Sequence, residues 1–338
     1  MAVRACWLRR PGSQLMASAR CTLSPARAPP LSSRSLSTAA GGSFVPGADG
    51  SDFPIQNLPY GVFSTAADPS PRVGVRIGNH VLDLSVVAAE IAPAGRFFSG
   101  FDVACFAEGS LNTFMGLGKP AWAEVRQAVT GLLSADGVSE LRDSPGLRTK
   151  ALLPIEAGRV RMHLPATIGD YTDFYSSREH ATNVGKMFRP DNPLQPNWLH
   201  MPIGYHGRAS SVVLSGTPIH RPAGQTIPAD STQPSHGPTG NLDFELEMGF
   251  FVGPGNELGR PISMETADDH IFGMVLLNDW SARDIQRWEY VPLGPFGSKN
   301  FATSISPWVV STKEMRQLLS KLPTCHLFGS MNTNTNAQ

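Results

Sequence analysis

The 338-residue chain is short of cysteine, of charge and of long apolar runs, and each shortage narrows what it can be. Its four cysteines, Cys6, Cys21, Cys105 and Cys325, form no Cys-x-x-Cys pair. That excludes a zinc framework or disulfide scaffold and makes a reducing compartment the default. Charged residues are 17% of the total and the formal net charge is zero, so no global field draws in nucleic acid or an anionic membrane. Apolar runs such as residues 274–277 fall far short of the ~18 residues a membrane-spanning helix needs. Walker A, His-Glu-x-x-His and Gly-x-Ser-x-Gly signatures are missing. The glycine-rich stretch 253–259 has one residue too many for a dinucleotide fingerprint and reads as a hairpin turn.

What is plentiful points the other way. Glycine (33 residues) and proline (29) favour a mainly β body with many turns, and the length suffices for two domains. Residues 1–48 carry no acid, while Arg4, Arg9, Arg10, Arg20, Arg27 and Arg34 supply the charge. This is the composition of a mitochondrial transit peptide, with 34–38 as a processing site, or of an unstructured extension ahead of a cytoplasmic protein. On either reading residues 1–42 stand outside the fold. Residues 43–161 read as a small β-rich domain with a few helices. Two strands flank a Gly78-Asn79 turn within 72–84, and a helix over 121–133 aligns Val125, Val129 and Leu132. Residues 162–310 alternate short apolar strands with loops rich in Gly, Pro, His and Asn. The proline-bearing stretch 221–241 reads as a surface loop, and 311–338 as a divergent tail with a short helix over 312–321.

The chemistry concentrates in the third segment. Asp243, Glu245 and Glu247 occupy alternate positions, with Phe244, Leu246, Met248 and Phe250 between them. A strand puts the carboxylates on one face, where water, cationic side chains or a bound metal must offset their repulsion. Asp279 follows the apolar run 271–277. Carboxylates from separate strand ends build an all-oxygen site for a hard divalent cation. Ser176 and Glu179 have capping-box spacing, which places His180 near the start of a helix just after Asp173 and Tyr175. His180 is then a general base or simply a solvated polar residue. Ser281 and Asp284 repeat the spacing, opening a helix on which Arg283 and Gln286 share a face, suited to gripping a carboxylate. Tyr290 and Lys299 lie just beyond.

Taken together, residues 170–185, 196–200, 204–211, the Glu-Leu-Glu strand and 278–296 resemble the fumarylacetoacetase family, over about residues 43–310. The resemblance implies an SH3-like β-barrel followed by a mixed β-roll catalytic domain, and homodimers. It implies hydrolysis of the carbon–carbon bond of 4-fumarylacetoacetate, a β-diketo acid, to fumarate and acetoacetate in tyrosine and phenylalanine catabolism. Carried onto this chain, Asp173, Glu245, Glu247 and Asp279 bind Ca2+ or Mg2+, with Lys299 and Thr303 near the cation. His180 activates water, and Tyr175, Arg189, Tyr205, Arg283, Gln286 and Tyr290 hold the substrate, Arg283, Gln286 and Lys299 also serving the oxyanion. Residues 311–338 resemble nothing in the family, whose members continue well past this point. The competing expectation is therefore a truncated chain with an incomplete β-roll, weak metal binding and no turnover.

Overall fold

A computed structural model describes residues 2–8 and 41–312, apart from 92–96, 99, 157 and 229. The polar tail, nearly all of the 312–321 helix, and the 34–38 processing site lie outside the described residues. Seventeen strands against seven α-helices make the described chain mainly β.

The first strand departs from the sequence expectation. β1 (Ala2–Leu8) belongs to the segment placed outside the fold by composition. It lies between β7 (Ile168–Tyr175) and β13 (Leu246–Val252), antiparallel to the former and parallel to the latter. A gap between two strands offers unpaired N–H and C=O groups on both sides, and a segment free of Gly and Pro can satisfy both ladders. Composition reports charge and small residues, not backbone pairing.

A five-stranded antiparallel sheet is built from β2 (Tyr60–Thr65), β3 (Arg72–Ile77), β4 (His80–Asp83), β5 (Leu152–Pro154) and β6 (Val160–His163), in the order β5-β4-β3-β2-β6. The turn between β3 and β4 is the expected Gly78-Asn79, with Gly78 at φ 52°, a conformation that L side chains rarely adopt. Asp83 then caps α1 (Leu84–Glu90), its Oδ1 accepting from Ser85 N–H at 3.0 Å. α2 (Asn112–Gly116), α3 (Lys119–Leu133), α4 (Ser139–Arg142) and α5 (Pro145–Ala151) follow. In α3 the predicted stripe of Val125, Val129 and Leu132 is buried.

The larger sheet is mixed, with the order β8-β7-β1-β13-β14-β16-β9. Its further members are β8 (Gly204–His206), β9 (Val212–Leu214), β14 (Ile271–Asp279) and β16 (Thr303–Ile305), while β17 (Val310–Ser311) pairs with the start of β14. The stretch 221–241, expected to be irregular, contains a two-stranded ribbon of β10 (Ala223–Thr226) and β11 (Ser235–Pro238). β12 (Leu242–Asp243) pairs with β15 (Ser281–Ala282), and α6 (Arg178–Phe188) and α7 (Arg283–Glu289) follow β7 and β15.

One hydrophobic cluster runs through both sheets. Phe272, fully buried on β14, meets Tyr60, Phe114 and Trp122 with ring centroids 5.6, 5.7 and 5.2 Å away. Reciprocal backbone bonds join Tyr60 to Val309 at 2.9 and 2.7 Å. The sheets therefore share packing and should unfold together. Phe272→Ala should lower stability by ~3–5 kcal/mol, read by urea denaturation, with a single transition retained.

Candidate metal centre and active site

β13 turns its one polar residue, Glu247, inward. Glu247 is 2% exposed, while Leu246 and Phe244 are 62% and 66% exposed. The alternation read from the sequence thus turns the carboxylates, not the apolar side chains, toward the interior at this end of the strand. Asp173 on β7 is 6% exposed, and Asp279, the last residue of β14, is fully buried. One carboxylate oxygen from each of Asp173, Glu247 and Asp279 lies within 4.8 Å of the others. A buried set of three hard oxygen donors suits a divalent cation of the calcium or magnesium kind. Thr303, 1% exposed, sits directly opposite Asp279 in the β14–β16 ladder.

Glu245 is placed differently. Lys299 Nζ donates to Glu245 Oε2 and to Asp279 Oδ2, both at 2.7 Å. Arg283 Nη2 donates to Glu245 Oε1 at 2.8 Å, and its Nε to Asp243 Oδ2 at 2.8 Å. Both oxygens of Glu245 are thereby engaged by cations, and among the described residues it is not one of the clustered metal-ligating groups. Burial pushes its carboxyl pKa up, but the charges and hydrogen bonds of Lys299 and Arg283 outweigh that and bring it to about 2.

α6 begins one residue later than the capping-box spacing implied. Ser177, not Ser176, is the cap, its Oγ accepting from His180 N–H at 3.3 Å. The His180 ring meets Tyr175 edge-on at 6.4 Å. Burial holds its pKa below the ordinary histidine value; Arg283 pushes the same way, while Glu245 and Asp173 pull it up. A depressed value keeps the imidazole neutral and able to take a proton near pH 7. α7 also starts without the predicted cap. Ser281 is committed to the β15 ladder, and its Oγ donates to the Asp279 carbonyl at 3.1 Å. The shared face predicted on α7 is present, with Arg283 Nη1 donating to Gln286 Oε1 at 3.0 Å.

The remaining candidates lie on several elements. Tyr205 on β8 stands opposite Asp173 in register. Trp198 Nε1 donates to the Tyr175 carbonyl at 3.0 Å, fixing the end of β7. Arg189, at the end of α6, donates to the Pro193 carbonyl at 3.1 Å. Tyr290 follows α7 and is 40% exposed. Asp243, one of the alternating carboxylates, proves to hold Arg283 rather than to join the three clustered acids. Asp284 was read only as a capping residue; its carboxylate accepts from Thr239 Oγ1 and from Gly240 N–H at 2.8 Å. Helical spacing carries no signal for that long-range contact.

The family model described as Fumarylacetoacetase N-terminal matches residues 56–165, and that described as Fumarylacetoacetate (FAA) hydrolase C-terminal matches residues 170–336. The chain belongs to the fumarylacetoacetase family. The second matched range extends to residue 336, into the stretch that the sequence reads as a divergent tail. Fumarylacetoacetases of Bos taurus and Homo sapiens are 62% and 60% identical to it over 270 and 273 residues. That of Arabidopsis thaliana is 53% identical over 273 residues. These alignments cover 79%, 79% and 80% of this fumarylacetoacetase-family chain, and 63% of each relative. The chain thus spans less than two thirds of the length of the curated relatives it matches. A solved fumarylacetoacetate hydrolase from Exiguobacterium antarcticum is 18% identical, covering 75% of this chain and 66% of the other, with a TM-score of 0.41, a likeness too slight to bear on the fold.

Two outcomes test the electrostatics of the site. Glu245 has a depressed folded-state pKa, so its stabilisation is complete above the unfolded value of 4.5 and is lost as pH falls toward about 2. Urea unfolding at stepped pH should show wild type losing stability in this window relative to Glu245→Gln. Ser298, fully buried beside Lys299, has a hydroxyl with no hydrogen-bond partner among the described residues. Because an unsatisfied buried hydroxyl costs ~1–3 kcal/mol, Ser298→Ala should raise stability by about 1 kcal/mol in the same assay.

Proposed function

We propose that this chain carries the metal-dependent hydrolytic site of a fumarylacetoacetase. It would cleave the carbon–carbon bond of 4-fumarylacetoacetate to give fumarate and acetoacetate, in the breakdown of tyrosine and phenylalanine. The carrying observation is the buried Asp173–Glu247–Asp279 cluster with Lys299 and Arg283 at its border. The names of the relatives, at 50–62% identity, support the substrate. No helix among the described residues is long and apolar enough to cross a membrane. The compartment we favour is the cytoplasm. We also read the five-stranded sheet as the SH3-like unit, the mixed sheet as part of a β-roll, and the working assembly as a homodimer.

Asp173, Glu247 and Asp279 would hold Ca2+ or Mg2+, which when bound supplies Lewis acidity to the 1,3-dicarbonyl of the substrate. His180, neutral near pH 7, takes a proton from water as the oxygen adds to the carbonyl carbon. Arg283, Gln286 and Lys299 offer donors to the oxygen that gains charge, and Tyr175, Arg189, Tyr205 and Tyr290 hold the rest of the substrate. The carbon–carbon bond then breaks, and the departing carbon takes back the proton that His180 had accepted. Water and diketo acid are thereby converted to two carboxylic acids with atoms in balance.

His180→Ala should lower kcat by ~10²–10⁴ without abolishing metal-dependent stabilisation. The acid limb of kcat/KM should fall below the ordinary histidine value of 6.5, because the base is active in its neutral form. Millimolar Ca2+ or Mg2+ should raise the unfolding temperature of the full chain, by an amount equivalent to about 2.7 kcal/mol at one hundred times Kd. Unchanged turnover in His180→Ala would refute the proposed base.

A further inference from the structure

Glu289, the last residue of α7, makes three contacts that the reaction scheme leaves unused. Its Oε1 accepts from the backbone N–H of Phe296 and of Ser298, both at 2.8 Å, and its Oε2 accepts from Gly297 N–H at 3.1 Å. Three consecutive amides thus converge on one carboxylate, an arrangement that fixes backbone rather than a single side chain. On the other side of the same loop the Ser298 carbonyl accepts from Ala282 N–H at 2.9 Å. Lys299 and Asn300 N–H then donate to the Phe296 carbonyl at 3.1 and 2.9 Å, closing a tight turn. Lys299 leaves this held loop with a side chain only 6% exposed, its Nζ between Glu245 and Asp279.

A lysine stem has four rotatable carbons and little directional preference of its own. Two hydrogen bonds at its tip hold it in place only if its backbone cannot drift. We propose that Glu289 is a positioning residue: it clamps the 296–298 backbone so that the Lys299 ammonium stays lodged between Glu245 and Asp279. α7 then sets both cations around Glu245, Arg283 from its first residue directly and Lys299 from its last residue through the loop. The kinetic consequence rests on the proposed hydrolase reading; the positional one does not.

The test uses the full chain with Glu289→Gln, which keeps the size of the side chain but halves its acceptor oxygens. Amine acylation followed by peptide mass mapping should show Lys299 labelling rising about tenfold, with the surface residues Lys119 and Lys150 unchanged as internal controls. Turnover should fall by ~10–100-fold, chiefly in kcat, and Glu289→Asp should lie between wild type and Glu289→Gln in both readouts. In a Lys299→Met background, Glu289→Gln should cost nothing further, because its effect is transmitted through the missing ammonium. Unchanged Lys299 labelling in both variants would overturn the proposal, as would an equal kinetic loss with and without Lys299. Should Glu289→Gln fail to unfold cooperatively, the Glu289→Asp labelling decides. A chain that never turns over 4-fumarylacetoacetate sinks the proposed function, while the labelling still decides this inference.

Discussion

The ammonium of Lys299, set at 2.7 Å from both Glu245 and Asp279, is the contact on which the site's charge arrangement depends. Asp173, Glu245, Glu247 and Asp279 come from adjoining parts of one sheet and would repel one another if left alone in a poorly solvated place. Lys299 and Arg283 together occupy Glu245, which divides the acids into two groups. One is neutralised internally. The other, Asp173, Glu247 and Asp279, remains as a compact set of oxygens suited to an external cation. Both oxygens of Glu245 meet the chain's own cations, whereas Asp279 gives one oxygen to Lys299 and still joins Asp173 and Glu247 in the clustered set.

β14 links this arrangement to the rest of the molecule. Its second residue, Phe272, lies among Tyr60, Phe114 and Trp122, while its last, Asp279, faces the carboxylate cluster. The intervening residues pair with β13 along nearly their whole length. Packing at one end and charge at the other are thus joined by a continuous hydrogen-bonded strand. The apolar first half of the chain contributes to the site through rigidity, though none of the clustered acids comes from it.

Much of this was legible because strands and helices impose simple periods. Alternation put Glu245 and Glu247 on one face, the 3.6-residue period aligned Val125, Val129 and Leu132, and the Gly78-Asn79 pair announced its turn. The resemblance to the family added candidates that no period could link; of these, Tyr205 and Thr303 stand opposite Asp173 and Asp279 in their ladders. Other features left no local trace. Ser176 and Ser177 are equally good caps by type, and the backbone chose the second. Ser281 has no capping role because it pairs with Asp243 in the short β12–β15 ladder. The pairing of β1 depends on strands that lie 160 or more positions away in sequence. Glu289 reads as an ordinary surface acid until the folded loop brings three amides to it.

α7 holds a constraint that concerns length instead of residue type. Arg283 and Glu289 are six positions apart, so at 3.6 residues per turn their side chains diverge by roughly 120° around the axis. That divergence lets one short helix reach toward Glu245 on one side and toward the 296–298 loop on another. Inserting or deleting a single residue between them would rotate one anchor by about 100° relative to the other, whatever the inserted residue was. Substitutions along α7 can be absorbed one by one, but its register behaves as a gear tooth: the helix engages both partners or only one.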